Sequence, residues 1–291
     1  MTKFVAAAVQ MCSGRDVDRN LTELERLVRQ AASAGASYVQ TPELTGGVRS
    51  EDDLSSENYA REEDDPVAAA ASRLAAELGI VIHIGSTVVR RGDGKLANRA
   101  LVYRPNGRLA ARYDKIHMFD VDLDTAGTWR ESSAFEPGSE AVVADLGPAT
   151  FGLAICYDLR FPQLFRAEAL AGAEVLTAPA AFTRQTGEAH WHVLVRSRAI
   201  ENGAFLVAAA QGGRHEDGRE TFGHTMIVDP WGRVVAEVSG TAVGIAIAEI
   251  DTSLSAHARF RIPNLRNDRP FMVVGPKTKQ ALRDTSPLLE G

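Results

Sequence analysis

The sequence predicts an α/β layer fold, and three observations support that prediction. Short apolar runs rich in β-branched residues alternate along the chain with amphipathic segments of helical period. Several of those runs are apolar on both faces, as strands buried in a sheet are. Two turn signals containing Pro and Gly join neighbouring runs into hairpins, which mixes antiparallel pairs into the sheet. At 291 residues, 45% of them hydrophobic, the chain can fill a sizeable core. No Gly/Ser-rich linker, low-complexity tract or repeat divides it, so residues 1–291 are expected to form one domain with a C-terminal tail from about residue 271.

Taken in order, the first run is FVAAAVQM (4–11), a strand. The segment 18–34 follows as a helix: Leu21, Leu24, Leu27, Val28 and Ala31 share one stripe, Asp18 offers an N-cap, and Gly35 stops it. SYVQTPE (37–43) reads as the second strand. The acidic stretch SEDDLSSENYAREEDD (50–65) reads as a solvated loop leading into a helix over 65–78. IVIHIGST (80–87) and NRALVYR (98–104) are strands, and PNG (105–107) turns the latter into a partner ending at RYDK. TFGLAIC (150–156) is a strand, then come a helix over 162–171, the strand EVLTAPA (174–180) and a helix over 189–202. AFLVAAAQ (204–211), HTMIVDP (224–230) and VGIAIAEI (243–250) complete the strands, with a hairpin turn at PWG (230–232).

Charge and composition exclude several function classes. Thirty-two Lys and Arg against 38 Asp and Glu leave a net charge of -6 with no basic run, so no nucleic-acid partner is expected. The N-terminus MTKFVAAAVQMCSG lacks a basic leader followed by a long apolar stretch, and no run approaches the roughly 18 apolar residues of a membrane span. A soluble, cytoplasmic chain is expected. With only Cys12 and Cys156, a disulfide framework and a four-cysteine zinc site are excluded by count.

Cys156 follows FGLAI, at or just past the C-terminal end of a strand, where α/β folds place ligands. Glu43 and Lys115 stand at similar apolar-to-loop transitions. A carboxylate near a thiol can take its proton, and a lysine favours both thiolate and oxyanion. Read singly, a lone cysteine such as Cys156 is more often an inert buried thiol, and Glu43 and Lys115 are more often surface charges than catalysts. Among the histidines, His190 and His192 in GEAHWHVLVRSRAIEN are about 200° apart on a helix and cannot share a face. The HW pair therefore reads as structural, no HExxH pattern is present, and no metal or cofactor is expected. Asp158 reads as a turn or helix-start residue.

TPELTGG around Glu43, RYDKIHMFDVD around Lys115 and GLAICYDLRFPQLFR around Cys156 resemble, in order and spacing, the three signature blocks of the nitrilase superfamily of carbon-nitrogen hydrolases. The likeness runs from the first strand to RNDRPF near residue 270. It implies a four-layer αββα sandwich, a Glu43–Lys115–Cys156 triad, and a homodimer or larger homo-oligomer. Glu131 in TWRESSAFEPG resembles a second glutamate beside the lysine, one that would help hold Lys115 charged and oriented. By the same likeness Glu43 is the general base and Cys156 attacks an amide carbonyl. Lys115 and the backbone N–H of Tyr157 stabilise the oxyanion, and a thioester is then hydrolysed.

Longer motifs, among them AFTRQTGEAHWHVLVRSRAIEN and AAAQGGRHEDGRETFGHTMIVDPWG, are similar to the Nit branch, which hydrolyses amides of dicarboxylic 2-oxo acids. The run AAQGGRHEDGRETFGHTM resembles members that cleave deaminated glutathione to 2-oxoglutarate and cysteinylglycine, departing at Gly212, while Gln163 stands where the branch often has Glu. An ω-amidase acting on 2-oxoglutaramate, an N-carbamoyl amino acid hydrolase and a non-catalytic scaffold of the same fold are the alternatives. Arg160 is expected to fork onto a substrate carboxylate, and Phe182 and Thr186 match positions lining the acyl pocket. Arg214 and His215, as exposed basic residues, are expected to meet the dipeptide leaving group.

Overall fold

The computed structural model describes residues 2–48, 55–123 and 127–275. In chain order β1 (Lys3–Gln10), α1 (Val17–Ser33), β2 (Tyr38–Gln40), α2 (Pro66–Leu78), β3 (Val81–Arg90), β4 (Leu96–Tyr103) and β5 (Leu109–Asp114) make the first half. A polar hairpin, β6 (Asp120–Leu123) with β7 (Gly127–Arg130), leads to β8 (Val142–Asp145), β9 (Thr150–Leu153), α3 (Pro162–Leu170), β10 (Val175–Thr177), α4 (Arg184–Asn202) and β11 (Phe205–Ala208). A second short hairpin, β12 (Gly212–Arg214) with β13 (Glu220–Phe222), precedes β14 (Met226–Val228), β15 (Val234–Glu237), β16 (Gly244–Asp251) and α5 (Thr252–Arg261).

Two mixed six-stranded sheets result, ordered β16-β1-β2-β3-β4-β5 and β15-β14-β11-β10-β9-β8. Their strand alternation builds the layers. In the first sheet Ala7, Val9, Val39, Ile82, Ile84 and Leu101 pack under Leu24, Leu27, Val28 and Ala31 of α1 and Leu74 of α2. Their neighbours Ala6, Ala8, Tyr38, Val81, Ala100 and Val102 point the other way, into one core with Phe151, Leu153 and Val175 of the second sheet. Leu164, Phe165, Trp191 and Val195 of α3 and α4 cover the far side of that sheet. This is the four-layer αββα sandwich.

Several boundaries differ from those read off the sequence, each for a local reason. Asp16, not Asp18, caps α1, its carboxylate accepting from the N–H groups of Asp18 and Arg19. The fourth helix begins at Arg184 because Thr183 caps it, accepting from Thr186 N–H. β2 stops at Gln40, short of Thr41 and Pro42. Of the acidic stretch, residues 55–65 form two 3-10 turns ending at Asp65, the cap of α2, and residues 50–54 lie outside the described residues. Only residues 271–275 of the expected tail are described; there Phe271, Met272, Val273 and Val274 are exposed. No helix among the described residues is long and apolar enough to cross a membrane.

Candidate active site

Four side chains converge where strand ends of both sheets meet. Glu43 lies in the turn after β2, Lys115 follows β5, Glu131 opens a 3-10 turn after β7, and Cys156 opens another after β9. Cys156 takes a left-handed backbone, φ +50°, which few non-glycine residues adopt and which strained functional turns often contain. Its N–H donates to Pro179 O, fixing the turn against the strand beside it. Tyr157 comes next, at the N-terminal end of that turn, where amide groups have no partner within the helix.

Lys115 is 2% exposed, so its charge must be met within the protein. Its Nζ donates to Glu43 Oε1 at 2.8 Å and to Glu131 Oε1 and Oε2 at 2.9 and 2.8 Å. Asn98, on β4, donates to both carboxylates, at 2.9 Å to Glu43 and 3.1 Å to Glu131. Phe119 N–H completes Glu131, and Ala181 N–H donates to Glu43 Oε2 at 2.8 Å. The Cys156 thiol is within hydrogen-bonding reach of Glu43.

Electrostatics follow from this wiring. Burial works to raise the affinity of Glu43 for a proton, but the Lys115 ammonium and the hydrogen bonds to Cys156, Lys115 and Asn98 hold it below the ordinary carboxylate range. Burial opposes the charge on Lys115, and Glu131 with Glu43 overcomes it, so Lys115 stays protonated far above its usual range. Burial, then the Glu43 charge, pushes the Cys156 thiol well up despite Lys115. The resting state is thus a neutral thiol beside an ionised carboxylate, poised for proton transfer during attack rather than a preformed thiolate. A metal cation would meet the fixed Lys115 charge here, which leaves the cluster suited to metal-free chemistry.

The cavity above the cluster is lined by Tyr157, Arg160, Phe182, Thr186, Trp129 and Arg219 among others. Arg160 is half-buried, its guanidinium 5.2 Å from the Phe182 ring centre and 5.7 Å from that of Tyr157, and its Nη1 lies 3.2 Å from His190 Nδ1. Phe182 packs at 5.0 Å on buried Trp191, and Thr186 pairs with Thr183 at 2.8 Å. The structure therefore gathers Glu43, Lys115, Cys156, Glu131, Tyr157, Arg160, Phe182 and Thr186 around one cavity. It does not bring Arg214 and His215 there. His215 is buried rather than exposed, bonded to Ser13 O at 2.9 Å and Thr221 Oγ1 at 2.7 Å, and both residues line a separate cleft beside Cys12 and Glu216. The β12–β13 hairpin turns them away and presents Arg219 instead, its guanidinium 4.5 Å over the Trp129 ring.

Three more residues support the site without an obvious sequence signal. Buried Asp158 accepts from Ile155 N–H, Tyr113 Oη, His117 N–H and His117 Nδ1, which ties the Cys156 turn to the segment carrying Lys115. It is a turn residue, as its position suggests, and a cross-brace as well. Gln211 donates to the carbonyls of Glu43 and Leu44. Asn98 bridges the carboxylates. Only Gln211 and Asn98 stand out at all in sequence, as lone amides in apolar runs.

Comparison with known proteins follows the same lines. A family model described as carbon-nitrogen hydrolase matches residues 5–260. A deaminated glutathione amidase of Yersinia enterocolitica is 40% identical over 267 residues, covering 90% of this chain and 92% of that protein. The C. elegans NitFhit structure superposes with a TM-score of 0.84 at 32% identity, over 92% of this chain and 66% of that one. Saccharomyces cerevisiae Nit3, a member of branch 10 of the nitrilase superfamily, gives 0.81 at 29%, over 90% and 95%.

Proposed function

The chain belongs to the carbon-nitrogen hydrolase family, and from that premise we propose that it is an amidase that cleaves deaminated glutathione to 2-oxoglutarate and cysteinylglycine, a metabolite-repair activity. The Yersinia relative's name supports this reading. The observation that carries it is the second guanidinium: Arg160 and Arg219 line the same cavity as Cys156. Deaminated glutathione has two carboxylates, one on the 2-oxo acid and one on the terminal glycine, whereas 2-oxoglutaramate has one. Arg160 receives the oxo-acid end and Arg219 the glycine end.

In this reading Glu43 accepts the thiol proton as Cys156 Sγ bonds to the amide carbon. Lys115 and the Tyr157 N–H stabilise the oxyanion. The C–N bond breaks as Glu43 gives the proton to the departing amine of cysteinylglycine. Water, deprotonated by Glu43, then breaks the thioester, which returns the proton to sulfur and releases 2-oxoglutarate. Glu131 and Asn98 keep Lys115 aimed between the steps. All of these groups are present, which disfavours a non-catalytic scaffold.

Mass spectrometry of products from deaminated glutathione, 2-oxoglutaramate and an N-carbamoyl amino acid, with Cys156→Ala protein as blank, tests this. Cysteinylglycine release is expected to be fastest. Arg219→Met should lower kcat/KM on deaminated glutathione roughly tenfold more than on 2-oxoglutaramate, a difference of about 1.4 kcal/mol. Preference for 2-oxoglutaramate with no selective effect of Arg219→Met would move the assignment to ω-amidase.

We further propose a cytoplasmic homo-oligomer. Two free cysteines, one of them the nucleophile, suit a reducing compartment. Val193 and Ile200 on one stripe of α4, with Trp231 beside Gly232 that packs on Ile200, leave an apolar face exposed that a second copy would cover. Sedimentation velocity should give at least a dimer, and Val193→Glu should shift it toward monomer.

A further inference from the structure

His190 and His192 do point apart on α4, but the fold brings His192 against two residues distant in sequence. His224 precedes β14 and Glu237 ends β15. His224 Nδ1 lies 2.7 Å from Glu237 Oε1, and His192 Nε2 lies 3.1 Å from the same oxygen. One donor atom from each of the three falls within 4.8 Å of the others. We propose that His192, His224 and Glu237 form a binding site for a divalent cation of the zinc class, with protein ligands on one side and water on the other.

The donor set argues for that class. Two imidazole nitrogens and one carboxylate oxygen suit zinc, cobalt or nickel, whereas calcium and magnesium select all-oxygen sites. Both short contacts converge on one carboxylate oxygen, so each imidazole presents an N–H toward Glu237. A cation would take the place of those two N–H contacts, each neutral imidazole shifting its proton to the other ring nitrogen, and would draw the donors to about 2.0–2.2 Å from the metal with small side-chain rotations.

The site is also held in place. His224 has φ +55°, its N–H donates to Gly240 O, and its carbonyl accepts from the indole of fully buried Trp191 at 2.8 Å. Its ring stacks on Phe222 with centres 4.3 Å apart. Glu237 is fixed by the β14–β15 pairing, where it faces Met226. The side chains are 38%, 24% and 24% exposed for His192, His224 and Glu237, enough for a cation to enter and keep water ligands. None of the three lines the Cys156 cavity, so the site is independent of the amidase reading. A bound cation would pin α4 to the β14–β15 hairpin.

The test uses untagged full-length protein carrying Cys156→Ala and Cys12→Ser, so that no thiol competes for metal. Cobalt(II) titration followed by visible absorption, with zinc displacement by calorimetry, is expected to give one cation per chain and a zinc-dependent rise in melting temperature. His192→Asn, His224→Asn and Glu237→Gln should each weaken binding roughly tenfold or more and abolish the melting shift. Asn is chosen at 224 because it tolerates left-handed backbone. If that variant fails to fold, His192→Asn on the outer helix face carries the test. No uptake at millimolar cation, or uptake that survives the His192 and Glu237 substitutions, overturns the proposal.

Discussion

At Cys156 the backbone strain and the chemistry occupy one residue. Cys156→Ala should abolish amide hydrolysis while the chain still folds, and Cys156→Gly should be the more stable of the two by about 0.5–1 kcal/mol, because glycine meets φ +50° without a Cβ penalty. Comparing the two denaturation midpoints checks this; equal midpoints would mean the turn is relaxed. Lys115 makes a different prediction. Lys115→Met leaves Glu43 and Glu131 facing each other in a buried place, a loss of about 3–5 kcal/mol at neutral pH. In the parent, Glu43 is held low, so its contribution is present above the unfolded carboxylate range and is lost as pH falls through the folded value. In Lys115→Met one carboxyl gains a raised folded pKa, so the sign reverses. Urea melts from pH 5 to 8 should show the variant losing stability as pH rises, and a flat profile would contradict it. Position alone placed Glu43, Lys115 and Cys156 at apolar-to-loop transitions, and it was the resemblance of their three blocks to the nitrilase superfamily that joined them into a triad. Arg219 was not legible, since one more charge in GRHEDGRE carries no spacing signal, and only the β12–β13 hairpin decides which arginine faces the cavity.

The second helix shows how one cap can carry a pH dependence. Asp65 Oδ1 accepts from Ala68 N–H at 2.8 Å and Oδ2 accepts from Thr87 Oγ1 at 3.3 Å, yet burial, only partly offset by these bonds, raises its pKa from 3.8 to about 6. The folded state therefore holds a proton that the unfolded chain releases near 3.8, and stability from this group declines as pH rises from about 4 to 6. Asp65→Asn keeps the cap acceptor and offers Thr87 a donor without the charge. It should stabilise the protein at pH 7 by on the order of 1–3 kcal/mol and flatten that pH window, as read by thermal melts at pH 4 and 7. Destabilisation at both would mean the carboxylate itself is needed. Sequence period made α1 and α2 legible because their stripes meet a flat apolar sheet face. It missed the start of α4, whose first turn contains Gly187, kept small by Phe222 packing against it. It also missed the β6–β7 and β12–β13 hairpins, whose short strands give no apolar period: β6 buries no residue, and β12 and β13 bury only Gly212 and Thr221.

Across the whole molecule, polar side chains as well as apolar ones cross between the sheets. Gln40 accepts from Ala209 N–H, Gln10 accepts from Thr225 N–H, and Gln211 reaches the Glu43 and Leu44 carbonyls, each bond joining one sheet's elements to the other's. Tyr38 stacks on Phe151 at 4.6 Å between them. The α/β class could be read from alternation, but this facing could not: β16 returns to pair with β1 across the whole chain, and no local pattern announces that closure. The site depends on it, since Glu43 and Lys115 come from the first sheet and Cys156 from the second. We therefore propose that the chain unfolds as one unit, because separating the sheets would expose the apolar core they share, from Ala6, Tyr38 and Val102 to Phe151 and Val175, and would break the Gln40–Ala209 and Gln10–Thr225 bonds. Trp191 and Trp231 report on the second half of the chain and Trp129, on β7, on the cavity, whereas α1 and α2, covering the first sheet, contribute to far-ultraviolet circular dichroism. In urea, fluorescence, circular dichroism and amidase activity should be lost with one midpoint. An early loss of fluorescence with much of the helical signal retained would instead mean that the two sheets are separately stable, and that the catalytic cluster is assembled by docking rather than by folding.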